Sequence, residues 1–231
     1  LRLPIQPDTA RPVGEIAQRM TAAGRRFAKT ECVTPMAGVA GAVAETVLQA
    51  MITAADLSRA YVNNGGDIAL HLTHGSAFKM AMAGHDGTTL GQITITHADP
   101  IRGIATSGRH GRSLSCGIAD SVTVLAVTAA KADVVATLIA NAVDVAQNPA
   151  IRRQPACDVD ENSDLGDRLV VTGCGPLDAT AITSALANGQ ARAQNFIANG
   201  HIKGACLFLQ GQSCVIGHPP VTLSQGIQEY A

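Results

Sequence analysis

The chain has 231 residues, 46% of them apolar and 3% aromatic with no Trp, and a formal net charge of -1. That is enough apolar content to bury a full core, so one domain over residues 1–231 is expected, with two small packed halves as the other way to divide it. Near-neutral charge and few rings argue against a nucleic-acid surface, which needs a basic stripe and stacking platforms, and leave a small anionic ligand as the better fit than a polymer.

Residues 12–28 read as a first helix, with Pro12 near its start and Ile16, Met20 and Ala23 on one side. A second starts where Thr34 caps and Pro35 takes the first position. Met36, Val39, Ala40, Val43 and Val47 recur at helical spacing as its expected core face. Its other faces carry Gly38, Gly41, Ala42 and Ala44, small enough for a neighbouring backbone or ligand to come close. Strands are predicted over 60–63, 67–72, 77–83, 92–97 and 103–105, separated by Gly-rich and His-Gly turns.

Between the first two strands stands Asn63-Asn64-Gly65-Gly66-Asp67. Asn and Gly tolerate positive φ, so successive N–H groups there could converge on an anion, with Asp67 placed for a ribose hydroxyl or a cation. The same residues also suit a tight hairpin turn that needs no ligand. After the fifth strand, Thr106-Ser107-Gly108-Arg109-His110-Gly111-Arg112-Ser113 offers hydroxyls, bare backbone and two arginines. Arg makes planar forked bonds to phosphate oxygens, so this segment reads either as a diphosphate clamp or as a polar loop with its arginines in water. The candidate cofactor-binding residues are therefore Asn64, Gly65, Gly66, Asp67, Thr106, Ser107, Gly108 and Arg109.

Residues 121–128 form the most β-branched strand and feed an apolar helix over 131–145. Strand-to-helix junctions of this kind are where α/β proteins place ligands. On this helix Asp133 and Thr137 stand four apart, so their oxygens share one side, a spacing suited to Mg²⁺; Asn141 and Asp144 extend the stripe. A carboxylate near a helix start also simply favours the positive dipole end. Residues 148–168, with Pro149, Pro155 and five acids, read as a long surface loop whose calcium-like opening fails at Ser163 and Leu169. A strand over 168–172, a helix over 178–199 and strands over 202–210 and 213–216 follow. The mixed order predicts an α+β domain on a largely antiparallel sheet.

Six cysteines lack any metal or disulfide spacing, and only Cys116, close behind the second motif, is a thiol to watch. No apolar run is expected to reach the roughly 18 residues of a membrane span, and no charged-then-apolar leader is read at the start of the sequence. A soluble, cytoplasmic protein is expected, with Leu1 at position 1 leaving room for residues before it.

In order and content these motifs resemble the ApbE-like superfamily, whose best-known members are flavin transferases. Gly41-Ala42-Val43-Ala44-Glu45 is similar to its helix motif K-G-x-x-x-D, Gly65-Gly66-Asp67 to its G-G-D, Thr106-Ser107-Gly108 to its T-S-G, and Asp133-x-x-x-Thr137 to its D-x-x-x-T. The chain departs from that pattern at Ala40, Ala42 and Glu45, where the family has a lysine, an aromatic and an aspartate, and it lacks H-I-x-D-P-x-x-G after T-S-G. Pro35-Met36-Ala37-x-Val39-Ala40-Gly41, Asn64-Gly65-Gly66-Asp67 and Gly117-x-Ala119-Asp120 resemble more closely a functionally uncharacterised branch found in bacteria and archaea. The resemblance implies FAD or FMN held with Mg²⁺ through Asp133 and Thr137, and transfer of FMN from FAD onto a threonine of a protein acceptor. It nominates no catalytic residue here. Two other readings stay open: an enzyme or binding protein for an anionic metabolite on the same scaffold, using Cys116 with Arg109 and Arg112 and no flavin, and a non-catalytic assembly protein.

Overall fold

The computed structural model describes residues 1–217, 219–225 and 227–229. In chain order these form α1 (Glu15–Arg25), a 3-10 turn (Pro35–Gly38), α2 (Val39–Ala54), β1 (Arg59–Asn64), β2 (Asp67–Leu72), β3 (Ala77–Ala83), β4 (Thr89–Thr96), β5 (Gly103–Ser107) and β6 (Ser121–Ala126). There follow α3 (Ala129–Ala142), β7 (Ile151–Pro155), the one-turn α4 (Ala156–Val159), β8 (Leu169–Cys174), α5 (Ala179–Ala198), β9 (Gly204–Leu209), β10 (Gln212–Gly217), β11 (Val221–Leu223) and β12 (Gln228–Glu229). The class is α+β with largely antiparallel sheets, as the sequence predicts.

β6 lies at the centre because all six of its residues are buried. A β-branched run hidden on both faces belongs in mid-sheet. It pairs antiparallel with β5 and β9 in a seven-stranded sheet ordered β1-β2-β5-β6-β9-β10-β12. The period of two then divides its residues. Val122 and Val124 face the helices and share a core with Val134, Ile139 and Leu186. Leu125 faces the other way, with Ile104 and Phe208, onto Met82, Ile93 and Ile95 of a second sheet ordered β11-β4-β3. The result is three layers: helices, main sheet, small sheet.

α2 packs on the core through Gly41, Ala42, Ala44 and Leu48, and Val47 of the expected face is 45% exposed. The reversal has a steric cause. α3 comes so near that a Cβ at Gly41 would stand 2.4 Å from the Ala129 carbonyl oxygen. Only the small face fits there. Thr34 does cap the start, its hydroxyl accepting from Met36 N–H.

Pro35–Ala54 also corrects the expectation of no span-length apolar run, being 20 helical residues that by length and composition alone could cross a membrane. In this fold the stretch packs along α1, α3, β1 and β2. Mid-helix, Glu45 pairs with Arg19 at 3.1 Å and accepts the Ala130 N–H at 2.7 Å. The predicted loop over 148–168 is likewise more ordered than expected. β7 within it pairs with β8 as a two-stranded ribbon, and Asp164 accepts the Thr34 hydroxyl.

Candidate functional site

Toward one end the apolar interior between the two sheets opens into a cleft of about 340 Å³. The alternation of β5 and β6 makes it. On the face where Leu125 is buried, the next inward positions are Thr123 and Ser121, and across the ladder Thr106 lies opposite Thr123. The two hydroxyls are 3.0 Å apart. The opposing wall is apolar, with Met80, Met82 and Ile93. Such a space, oily on one side and polar on the other, is the usual form of a small-molecule site.

The cleft gathers Gly65 and Gly66 from one predicted motif and Thr106, Ser107 and Gly108 from the other. Gly65 (φ 70) and Gly66 (φ 110) make a two-residue hairpin turn between β1 and β2. The turn reading is therefore right about the backbone, and Asn63 Oδ1 takes the Gly66 N–H at 2.9 Å. Asn63 lines the cleft, whereas Asn64 donates its side-chain N–H to the Ala40 carbonyl at 3.2 Å.

Arg109 is engaged elsewhere. Its Nε and Nη2 donate to Asp120 Oδ1 at 3.0 and 2.6 Å. Asp120 is a hub, with His110 Nε2 3.3 Å from the same oxygen and the Gln210 N–H donating to Oδ2 at 2.5 Å. His110 stacks flat on His85 at 3.7 Å between centroids, and both line the cleft. Burial, then Arg109 and His85, hold the His110 imidazole below its ordinary pKa of 6.5, with Asp120 pulling the other way.

Asp67 and Asp133 meet on the opposite face of the main sheet. Pairing of β2 with β5 stops at Ile68 opposite Ile104, and in place of the next ladder bond the Thr106 N–H donates to Asp67 Oδ1 at 3.3 Å. Ile68 faces the cleft, so Asp67 faces the helices. There Asp133 Oδ2 accepts the Gly41 N–H at 3.0 Å, and the Ala40 N–H also donates to this carboxylate. Burial raises Asp67 to about 7, against the Thr106 N–H. Burial, and next the charge of Asp67, push Asp133 well above the carboxylate range. Two buried acids side by side favour a shared proton or a cation between them. Thr137 follows one turn later, half-buried, and neither it nor Asp133 lines the cleft. The rest of the stripe holds loops: Asn141 Oδ1 accepts the Cys116 N–H at 2.9 Å, and Asp144 pairs with Arg153 at 2.5 Å.

The surroundings of Cys116 disfavour its thiolate. Burial raises its pKa, outweighing Arg168 and Arg153 nearby. An activated nucleophile needs the reverse, which counts against the flavin-free enzyme built on it.

The cleft residues that the sequence leaves unassigned are the methionine wall, the histidine stack and Asp120. Alternation in 77–83 does place Met80 and Met82 on one face, and Asp120 closes the Gly117-x-Ala119-Asp120 pattern. That Asp120 pairs with Arg109 has no such signal.

Comparison with known proteins adds the following. Residues 1–215 match a family model described as AbpE bacteria. A UPF0280 protein of Archaeoglobus fulgidus is 37% identical over 128 residues, 55% of this chain and 50% of that protein. One from Methanosarcina acetivorans is 33% identical over 132 residues, 57% and 50% of the two chains, and one from Methanobrevibacter smithii is 36% identical over 132 residues, 56% and 54%. The chain spans about half the length of the curated relatives it matches.

Proposed function

The chain belongs to the AbpE bacteria family, and on that premise we propose that its cleft binds a flavin nucleotide, FAD or FMN, by the phosphate, with Mg²⁺ as the accompanying cation. One observation carries the reading: Gly65–Gly66 and Thr106–Gly108, far apart in sequence, line one cleft with hydroxyls and bare backbone at one side and a methionine wall at the other. Phosphate oxygens suit the first lining and a flat ring the second, where Met can adapt its shape. The volume is at the small end for ligand sites, which suits a mononucleotide-sized part of the ligand.

The donor chemistry also fits a hard cation. Mg²⁺ is typically bound by one or two carboxylates, with phosphate and water completing the shell. Asp133 and Thr137 would hold it, with Asp67 beside them, on the helix side of the main sheet and outside the cleft lining, where it would neutralise the acidic pair. The chain's own groups do the remaining work. Thr106 and Thr123 present hydroxyls to the bound phosphate, Met80 and Met82 exclude water from the ring, and the stacked His85 and His110 bound the open side. Transfer of FMN to a hydroxyl of a protein acceptor is the reaction of this kind that the resemblance supports.

Titrating FAD into metal-stripped protein with and without Mg²⁺, following flavin fluorescence, tests this. Saturable quenching that tightens with Mg²⁺ is expected. No binding under either condition would refute the reading.

A further inference from the structure

The cleft lining includes no Lys or Arg. Its one carboxylate, Asp120, is fully engaged by Arg109, His110 and the Gln210 N–H. Arg109 is thus fixed as the counter-ion of a structural acid, with its side chain only 16% exposed. A phosphate-binding cleft still calls for a cation, and three residues further on there is one.

The chain folds back after Gly108, where the Gly111 N–H donates to the Gly108 carbonyl at 3.1 Å. This turn carries Arg112 across to the β1–β2 hairpin. Its Nη2 lies 2.8 Å from where a Cβ on Gly65 would stand. The absence of a side chain at Gly65 is what lets the guanidinium rest there. Arg112 is exposed, and no ion pair or hydrogen bond holds it among the described residues. A free guanidinium lying over a cleft-lining glycine turn, whose Gly66 stands beside Thr106, is placed as an anion clamp.

We propose that Arg112 is the residue that grips the phosphate of the ligand, and that Arg109 serves only to position the loop that carries it. The inference rests on the phosphate-ligand reading above but not on the flavin ring. It assigns Gly65 a second role, as the seat of the guanidinium, beyond its turn conformation.

The experiment titrates wild type, Arg112→Ala and Arg112→Lys calorimetrically with three probes: inorganic pyrophosphate, FAD and riboflavin. Arg112→Ala should weaken pyrophosphate and FAD at least tenfold while leaving riboflavin within twofold. Arg112→Lys should fall between, since it keeps the charge and loses the fork. Thermal unfolding of the variants should match wild type because the side chain holds no other group; if Arg112→Ala fails to fold, Arg112→Lys decides. Binding of FAD and pyrophosphate by the variant within twofold of wild type would overturn the assignment while leaving the flavin reading in place. Pyrophosphate binding that depends on Arg112, without binding of FAD or riboflavin, would uphold Arg112 and remove the flavin. Wild type that binds none of the three would overturn both.

Discussion

The carboxyl of Asp67, at the start of β2, is buried close enough to that of Asp133 on α3 for its charge to raise the Asp133 pKa. Each is anchored by backbone N–H groups, Asp67 by Thr106 and Asp133 by Gly41 and Ala40. Two helix starts and the splayed end of the β2–β5 ladder thus converge on one acidic pair.

This pair sets a pH dependence of stability. Asp67 has its folded-state pKa raised from 3.8 to about 7. Between those values the folded state holds more protons than the unfolded, so stability falls as pH rises through that window and the penalty is complete above it. Asp67→Asn should therefore stabilise the metal-free protein at pH 8, by on the order of 1–3 kcal/mol, and gain nothing at pH 4. Urea unfolding at the two pH values measures it. A variant less stable than wild type at pH 8 would contradict the account.

A second expectation concerns the seam of α2 and α3. Gly41→Ala places a methyl against the Ala129 carbonyl, and neither helix backbone can yield without disturbing the bonds to Asp133 and Glu45. A loss of about 1–3 kcal/mol is expected, as for overpacked cores. Ala44→Ser, a comparably small change on the same buried face, is a control for the loss caused by polarity alone. Differential scanning calorimetry compares them, and an unchanged midpoint for Gly41→Ala would contradict a steric limit at this seam.

How much was legible beforehand follows from these packing facts. β2 and β3 were readable to the residue because alternation and glycine turns bound them on both sides. The buried face of α2 was not, because hydrophobicity points to Val43 and Val47 while the closeness of α3 selects for small size. Pro149, Pro155 and the acids that follow disguised β7, in whose sequence Ile-Arg-Arg-Gln-Pro it is Ile151 that packs on the core. Within the site, the glycine and hydroxyl motifs were legible from turn chemistry. The division of labour between Arg109 and Arg112 was not, since it depends on Asp120 being folded back onto the loop.

The thiols offer a third check. Cys32 is exposed, whereas Cys116 is partly covered and its pKa is raised by burial. Thiolate is the reactive form, so alkylation by iodoacetamide at pH 7.5 should label Cys32 well before Cys116. Peptide mapping over time reads the order. Cys116 labelled first would revive the reading in which it is a nucleophile.

Burial and the charge of Arg109 lower the His110 pKa. His110 should show a proton NMR midpoint below 6.5, and His85→Gln should raise it by removing a neighbouring positive charge. A midpoint at or above 6.5 in the wild type would show that Asp120 outweighs burial and Arg109.

A crystal of the protein grown with FAD and Mg²⁺ would show where the flavin and its phosphate sit. Phosphate density is expected in the cleft between Gly65–Gly66 and Thr106–Gly108, with Arg112 folded onto it and the flavin ring against Met80 and Met82. Ordered flavin elsewhere on the molecule, with this cleft filled only by water, would contradict the flavin reading.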